Sequence, residues 1–202
     1  MGSPPDQIMD LYERHADQYI ADRARTRYNE SIWLNRFAAR LPPGGAVLDI
    51  GCGCGQPIAE QLIDQHFALD GVDSSPTLIA RCREKFPRQK WLVADMRSLS
   101  LGKRYSGILA WDSFFHLSPE DQRGMFPLFK RHAASDAAFM FTSGPSHGEA
   151  VGSYAGEPLY HASLAAEEYR RLLEHNGFLV VSHVSEDPEC SGHTVWLAQA
   201  VG

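Results

Sequence analysis

Val47-Leu48-Asp49-Ile50-Gly51-Cys52-Gly53-Cys54-Gly55 decides how this chain is read. A short apolar run ends around an acid, and glycines follow at every second position. Such a run predicts a buried parallel strand. The glycines free the backbone for a tight turn and for close approach of a ligand. Gln56 to Gln65 can continue as a helix, which places the glycines at a strand–turn–helix junction. In open α/β sheets that junction is a cofactor site. The dinucleotide fingerprint G-x-G-x-x-G wants glycine where Gln56 stands, and the Gly-Lys-Ser/Thr of a P-loop is missing.

Further strands end in acids. Phe67-Ala68-Leu69-Asp70-Gly71-Val72-Asp73 ends 22 positions after Gly51. That spacing suits an acid that meets ribose hydroxyls, since a carboxylate accepts from both. Ser75-Pro76 then opens a helix, with a capping hydroxyl and a proline at its first position. Trp91 to Ala94 leads into Asp95-Met96, and Tyr105 to Trp111 leads into Asp112-Ser113-Phe114-Phe115-His116-Leu117. Ser118-Pro119-Glu120-Asp121 opens the next helix. Ala137 to Ser143, Phe178 to Val184 and His193 to Ala200 read as the remaining strands. Between the first two of these, Ser163 is read as capping a helix with Tyr169, Leu172 and Leu173 that ends at Asn176-Gly177. Periodicity by itself gives an α/β sandwich.

Acid-x-Gly-x-Gly-x-Gly, with Asp73 and Asp95 at the following strand ends, resembles the class I methyltransferases that use S-adenosylmethionine (SAM). The resemblance covers roughly Leu41 to Val201. It implies a Rossmann-like seven-stranded sheet of order 3-2-1-4-5-7-6, strand 7 antiparallel, with helices on both faces. It implies one domain over 1–202, with an N-terminal helical cap (1–41) and a SAM-binding core (42–202). SAM is the implied cofactor and S-adenosylhomocysteine the product. The donor would rest on the backbone of Gly51, Cys52 and Gly53, with Asp49 near the methionine amino end. Asp73 and Ser74 would serve the ribose, Asp95 and Met96 the adenine, and the Trp111 carbonyl the amino group.

The acceptor side is read from aromatics and histidines. Ile8, Leu11, Tyr12, His15 and Tyr19 fall on one helical face, and a second helix runs from about Tyr28 to Arg40 before Pro42-Pro43-Gly44-Gly45. Tyr12 and Tyr19 are pocket candidates, able to stack and to hydrogen-bond. Segment 144–162 reads as a long loop with His147, Tyr154, Tyr160 and His161, a substrate-covering insertion. Phe115 belongs to the same candidate surface. His116 is the first candidate base, because histidine titrates near neutrality, and a purely structural histidine is the equal alternative. Asp112 would bind an acceptor or orient a histidine, and His193 is a weaker candidate.

Composition narrows the classes. A net charge of −6 gives no electrostatic footprint for nucleic acid. Asp112-Ser113-Phe114-Phe115 stands where a nucleic-acid amino methyltransferase would carry Asn/Asp-Pro-Pro-aromatic. Apolar runs fall short of the ~18 residues of a membrane span, and the first ten residues lack a secretory pattern. The four cysteines include Cys52-x-Cys54, which is neither a redox nor a zinc spacing, and reduced thiols in a cytoplasmic protein are expected. No metal site is expected. The reading is an enzyme that methylates oxygen, nitrogen or sulfur of a small molecule, as a monomer or homodimer. A nicotinamide-type oxidoreductase and a SAM-binding protein without catalysis stay open.

Overall fold

The computed structural model describes residues 4–25 and 29–201. Tyr28, read as the start of the second helix, lies outside the described residues. Three helices come first, α1 (Pro4–Arg14), α2 (Ala16–Arg25) and α3 (Ser31–Ala38). The periodic run through Tyr19 is therefore two helices, broken at His15. The break lets Ile8 and Leu11 bury on one side while Ala16 packs with Cys54 and Leu78 on another.

The core then alternates β1 (Ala46–Ile50), α4 (Ile58–Asp64), β2 (Ala68–Asp73), α5 (Pro76–Lys85), β3 (Lys90–Val93), β4 (Tyr105–Ala110), α6 (Pro119–His132) and β5 (Ala133–Ser143). A hairpin follows, β6 (Gly148–Tyr154) and β7 (Glu157–Ser163), then α7 (Ala166–His175), β8 (Phe178–Asp187) and β9 (His193–Ala200). The seven-stranded sheet has the order β3-β2-β1-β4-β5-β9-β8, and β9 runs antiparallel to β5 and β8. With the hairpin set aside, β8 and β9 are the sixth and seventh strands of the expected 3-2-1-4-5-7-6 order.

Each face of the sheet carries its own core. Leu48, Ile50, Phe139 and Phe141 meet Phe126 and Phe129 of α6 and Tyr169 of α7. Val47, Leu69, Leu109 and Met140 meet Trp33 and Phe37 of α3, Leu62 of α4 and Ile79 of α5. Burial on both faces explains why β1 reads as an apolar run with Asp49 its one polar residue. Ser75 and Ser118 cap α5 and α6 by accepting from Leu78 and Asp121 backbone N–H.

Two readings need correction. Segment 144–162 is not a loop: its Ala155-Gly156 turn has φ of 51° and 82°, the paired left-handed geometry that closes a two-residue hairpin. Glycine and proline content hid that short turn. Ser163 does not cap α7; it ends β7, and its hydroxyl accepts from Gly144 N–H at 2.6 Å. Among the described residues no helix is long and apolar enough to cross a membrane.

β1, β2, β3 and β4 run parallel and end at one edge. Adjacent strands lie about 5 Å apart, so the segments after them must converge there. Those segments are the glycine turn, Ser74-Ser75, Asp95-Met96 and the turn from Asp112 to His116. Phe114 anchors the last of these, fully buried among Phe126, Phe129 and Phe141. Burying a phenylalanine contributes about 2 kcal/mol, which fixes its polar neighbours on the edge.

Candidate functional site

Gly51 has φ +75° and Gly53 φ +54°, conformations that strain other residues. The turn hangs on the end of β2, where Gly51 and Cys52 N–H both donate to the Val72 carbonyl at 2.7 and 3.0 Å. Asp73 locks it from the side: its carboxylate accepts from Gly53 N–H and Ser75 N–H, both at 2.9 Å. A Cβ on Gly51 would lie 2.2 Å from Ser113 Cβ, so the β1 and β4 ends touch. Ser113 Oγ–H completes that contact by donating to the Ile50 carbonyl at 2.8 Å.

Gly51, Gly53, Asp73, Ser74, Asp95 and Met96 line one cavity at this edge. Ile8 and Met9 of α1, Leu78 and Leu117 give it apolar walls. Asp49 is buried beneath the turn. Burial, then the charge of Asp73, pushes its carboxyl up to about 7, with Arg23 pulling the other way. Burial also raises Asp73 above the usual carboxylate range against the pull of its amide partners. Asp95 is held by Arg97, whose Nε and Nη2 reach the carboxylate at 2.9 and 2.6 Å, and Arg97 Nη2 also meets Asp6 of α1 at 2.7 Å. The Trp111 ring does not line this cavity; it is buried in the core under His193. Cys52 lies beside the cavity, its Sγ near Gly71.

Tyr12, Tyr19, Asp112 and His116 border both this cavity and a second, wider one of about 470 Å³. At the junction His116 is buried. Its Nδ1 is 2.8 Å from the Tyr160 carbonyl, which can only accept, so Nδ1 carries the hydrogen. Nε2 is then the lone pair, and Tyr12 O–H donates to it at 3.1 Å. Burial pushes the imidazole down to about 4, opposed by the Tyr160 carbonyl. His116 is neutral at pH 7. Asp112, at φ +47°, accepts from His193 Nε2 at 3.0 Å, and its N–H donates to Thr142 Oγ1 at 2.8 Å.

Tyr154, His161 and Phe115 line the wider cavity. His161 stacks 4.8 Å from His116, and burial lowers its pKa. His147 lines an adjoining trough instead. Tyr160 contributes its carbonyl; its hydroxyl turns away to Glu149 at 2.9 Å.

The N-terminal helices are fastened over the site. Glu13 accepts from Thr77 Oγ1–H at 2.7 Å and Thr77 N–H at 3.1 Å at the start of α5. Arg14 and His15 pair with Glu157 of the hairpin, and Tyr154 O–H donates to Asp22 at 3.1 Å. Arg97, Ser113 and Arg23 were missed by sequence reasoning, and His193 was ranked low. A guanidinium two positions after a strand-end acid was the one available signal, at Arg97. Arg23 pairs with the buried Glu30 at 2.9 Å, a contact without local signature. Among the described residues no group of three or more His, Cys, Asp or Glu could hold a metal ion.

Residues 47–136 match a methyltransferase domain family. A dTDP-3-amino-3,6-dideoxy-alpha-D-glucopyranose N,N-dimethyltransferase from Streptomyces fradiae is 31% identical over 114 residues, 55% of this chain and 43% of that protein. The match thus spans less than half of this curated relative. Magnesium protoporphyrin IX methyltransferase from Synechocystis PCC 6803, solved with bound SAM, shares the fold at a TM-score of 0.76 and 14% identity, covering 99% of this chain and 98% of its own. A SAM-bound amino pentose methyltransferase from Micromonospora echinaspora has a TM-score of 0.71 at 15% identity, covering 91% and 96%. The resemblance to class I methyltransferases holds in both sequence and fold.

Proposed function

We propose that this chain, whose residues 47–136 match the methyltransferase domain family, moves a methyl group from SAM to oxygen, nitrogen or sulfur of a small molecule. One observation carries the reading: a cavity with carboxylates at one end and apolar walls opens, through four shared residues, into a second cavity rich in polar side chains. SAM supplies an electrophilic methyl on a sulfonium, an activated donor. The chain's own work is to bind, align and exclude water.

The donor cavity fits such a group. Each Asp73 oxygen accepts one amide and keeps a lone pair for a ribose hydroxyl. Met96, Leu78 and Leu117 offer apolar walls to a flat base, with Asp95 at the polar edge. Asp49, buried with a raised pKa, is suited to a cationic amino group that would restore its charge. Residues 1–41 act as a cap on the 42–202 core, with Ile8, Met9, Tyr12 and Tyr19 closing the donor cavity.

At the junction His116 offers an uncharged Nε2 lone pair whose direction is set by the Tyr160 carbonyl. With its pKa near 4 it accepts a hydrogen bond better than it keeps a proton. Its role is to hold the Tyr12 hydroxyl, whose oxygen keeps lone pairs for the acceptor's N–H, O–H or S–H, so that the acceptor's reacting lone pair faces the donor cavity. Tyr154, Phe115 and His161 supply flat surfaces for the rest of the acceptor.

The test is a panel of small amines, alcohols and thiols in which S-adenosylhomocysteine release is followed, alongside calorimetry with SAM. Micromolar SAM binding and turnover of one acceptor are expected. Absence of SAM binding would sink the proposal. His116→Ala should spare SAM binding and lower turnover; full turnover would remove His116 from the mechanism.

A further inference from the structure

His193 begins β9, far from the motifs that define the donor site. Both of its ring nitrogens face acceptors. Nδ1 lies 2.7 Å from the Cys190 carbonyl, and Nε2 lies 3.0 Å from Asp112 Oδ1 and 3.1 Å from Oδ2. A neutral imidazole carries one N–H and satisfies one of these partners; the imidazolium satisfies both. The ring lies against Trp111, with centroids 5.4 Å apart and planes tilted by 30°, within the distance at which an indole attracts a cation. The turn that presents it is fixed by Trp33 Nε1–H, which donates to Asp187 at 2.8 Å inside the core.

We propose that His193, as an imidazolium, is a positioning residue that keeps the Asp112 carboxylate aimed at the junction of the two cavities, where Asp112 takes an N–H or O–H of the acceptor. This rests on the methyltransferase reading of the site. Asp112 is bound on its other side by Thr142, whose hydroxyl accepts from Asp112 N–H at 2.8 Å and donates to Oδ1 at 3.3 Å. A carboxylate only accepts. The acceptor is therefore a hydrogen-bond donor at this point, and a phosphate or carboxylate there is repelled.

The groups facing His193 agree on its charge. Burial pulls its pKa down, but the hydrogen bond and charge of Asp112, the Cys190 carbonyl and the charge of Glu30 outweigh it and hold the pKa above the ordinary value. Arg23 of α2 is paired with Glu30 and also faces Asp112 electrostatically. As pH rises through the raised pKa the imidazolium is lost, and acceptor recognition weakens.

Four readouts test this. Nitrogen-15 NMR of histidine-labelled protein, assigned by the signal lost in His193→Gln, should show both ring nitrogens protonated at pH 7. His193→Leu should raise acceptor KM at least about tenfold and leave the SAM Kd within about twofold. Asp112→Asn added to His193→Leu should cost little more, since the two act as one unit. His193→Gln, which keeps a donor without a charge, should lose the alkaline fall in kcat/KM. A neutral His193 tautomer at pH 7, an unchanged acceptor KM, or additive effects would overturn the inference. The NMR arm needs no turnover, so it fails separately from the methyltransferase reading.

Discussion

The cavity proposed for the donor is held in shape by backbone hydrogen bonds at the strand ends, and the one proposed for the acceptor by side chains that meet from distant parts of the chain. In the donor half, Gly53 and Asp73 are 20 positions apart and joined through a main-chain N–H. In the acceptor half, Tyr12 meets His116 across 104 positions, His193 meets Asp112 across 81, and Tyr154 meets Asp22 across 132. A site made from strand ends and their amides moves only if the sheet moves. One made from paired side chains can be retuned residue by residue. Such a division suits a stock donor and a variable acceptor.

The largest expected effect that would test this division is Asp73→Ala. It strips two backbone amides of their acceptor and removes the carboxylate proposed to meet the ribose. Hydrogen bonds to charged groups contribute about 1.5–3 kcal/mol each, so SAM affinity should fall at least about 100-fold by calorimetry. Tyr12→Phe, across the boundary, should raise acceptor KM and leave SAM Kd within about twofold. If Asp73→Ala bound SAM as wild type does, the donor assignment would be wrong.

Gly51→Ala comes next. Its Cβ would press 2.2 Å from Ser113 Cβ at φ +75°, so both strain and clash oppose it. A loss of about 1–3 kcal/mol is expected in the denaturant midpoint. Gly152→Ala in the hairpin meets nothing nearer than 3.8 Å and should stay within about 0.5 kcal/mol. Equal losses would remove the contrast between the rigid and the tolerant half.

pH separates the halves through two buried groups of opposite sign. Asp49 has a folded pKa of about 7, above its unfolded value near 3.9, so its contribution is present at low pH and lost as pH rises towards 7. His116 has a folded pKa of about 4, below its unfolded value near 6.5, so its contribution is lost as pH falls from about 6.5 to 4. Asp49→Asn should therefore gain about 4 kcal/mol over wild type at pH 8 relative to pH 4, while weakening SAM binding. His116→Gln should flatten the acid limb instead. Chemical denaturation across pH measures both.

The contrast also explains what could be read from the chain alone. Strand runs, glycine spacing and helix caps are local; with the resemblance they gave the sheet order, and they singled out Asp73, Asp95 and Met96, which line one cavity. The hairpin was missed because its turn is Ala155-Gly156, lacking the asparagine or aspartate that flags such a turn. His193 and Arg23 carry no local mark; their roles exist once β9 and α2 fold against Asp112 and Glu30. Tyr160 illustrates the limit best, since it was singled out for its ring and serves the site by its carbonyl.

The smallest expected effect lies at the seam between the N-terminal helices and the hairpin. Glu157 of β7 pairs with Arg14 at the end of α1 and with His15 at the break after it, all partly exposed to water. Exposed ion pairs contribute little and are screened by salt. Glu157→Gln should leave SAM Kd and folding stability unchanged, since Glu157 does not line the donor cavity and α1 stays fastened over it through Glu13–Thr77 and Asp6–Arg97. It loosens the hairpin that carries Tyr154, Tyr160 and His161 against Tyr12 and His116, so acceptor KM should rise by about two- to threefold. The rise should vanish at high salt, where wild type loses the same attraction. A change in SAM Kd as large as the change in acceptor KM would mean that the helices couple the two cavities, and the halves would have to be treated as one site.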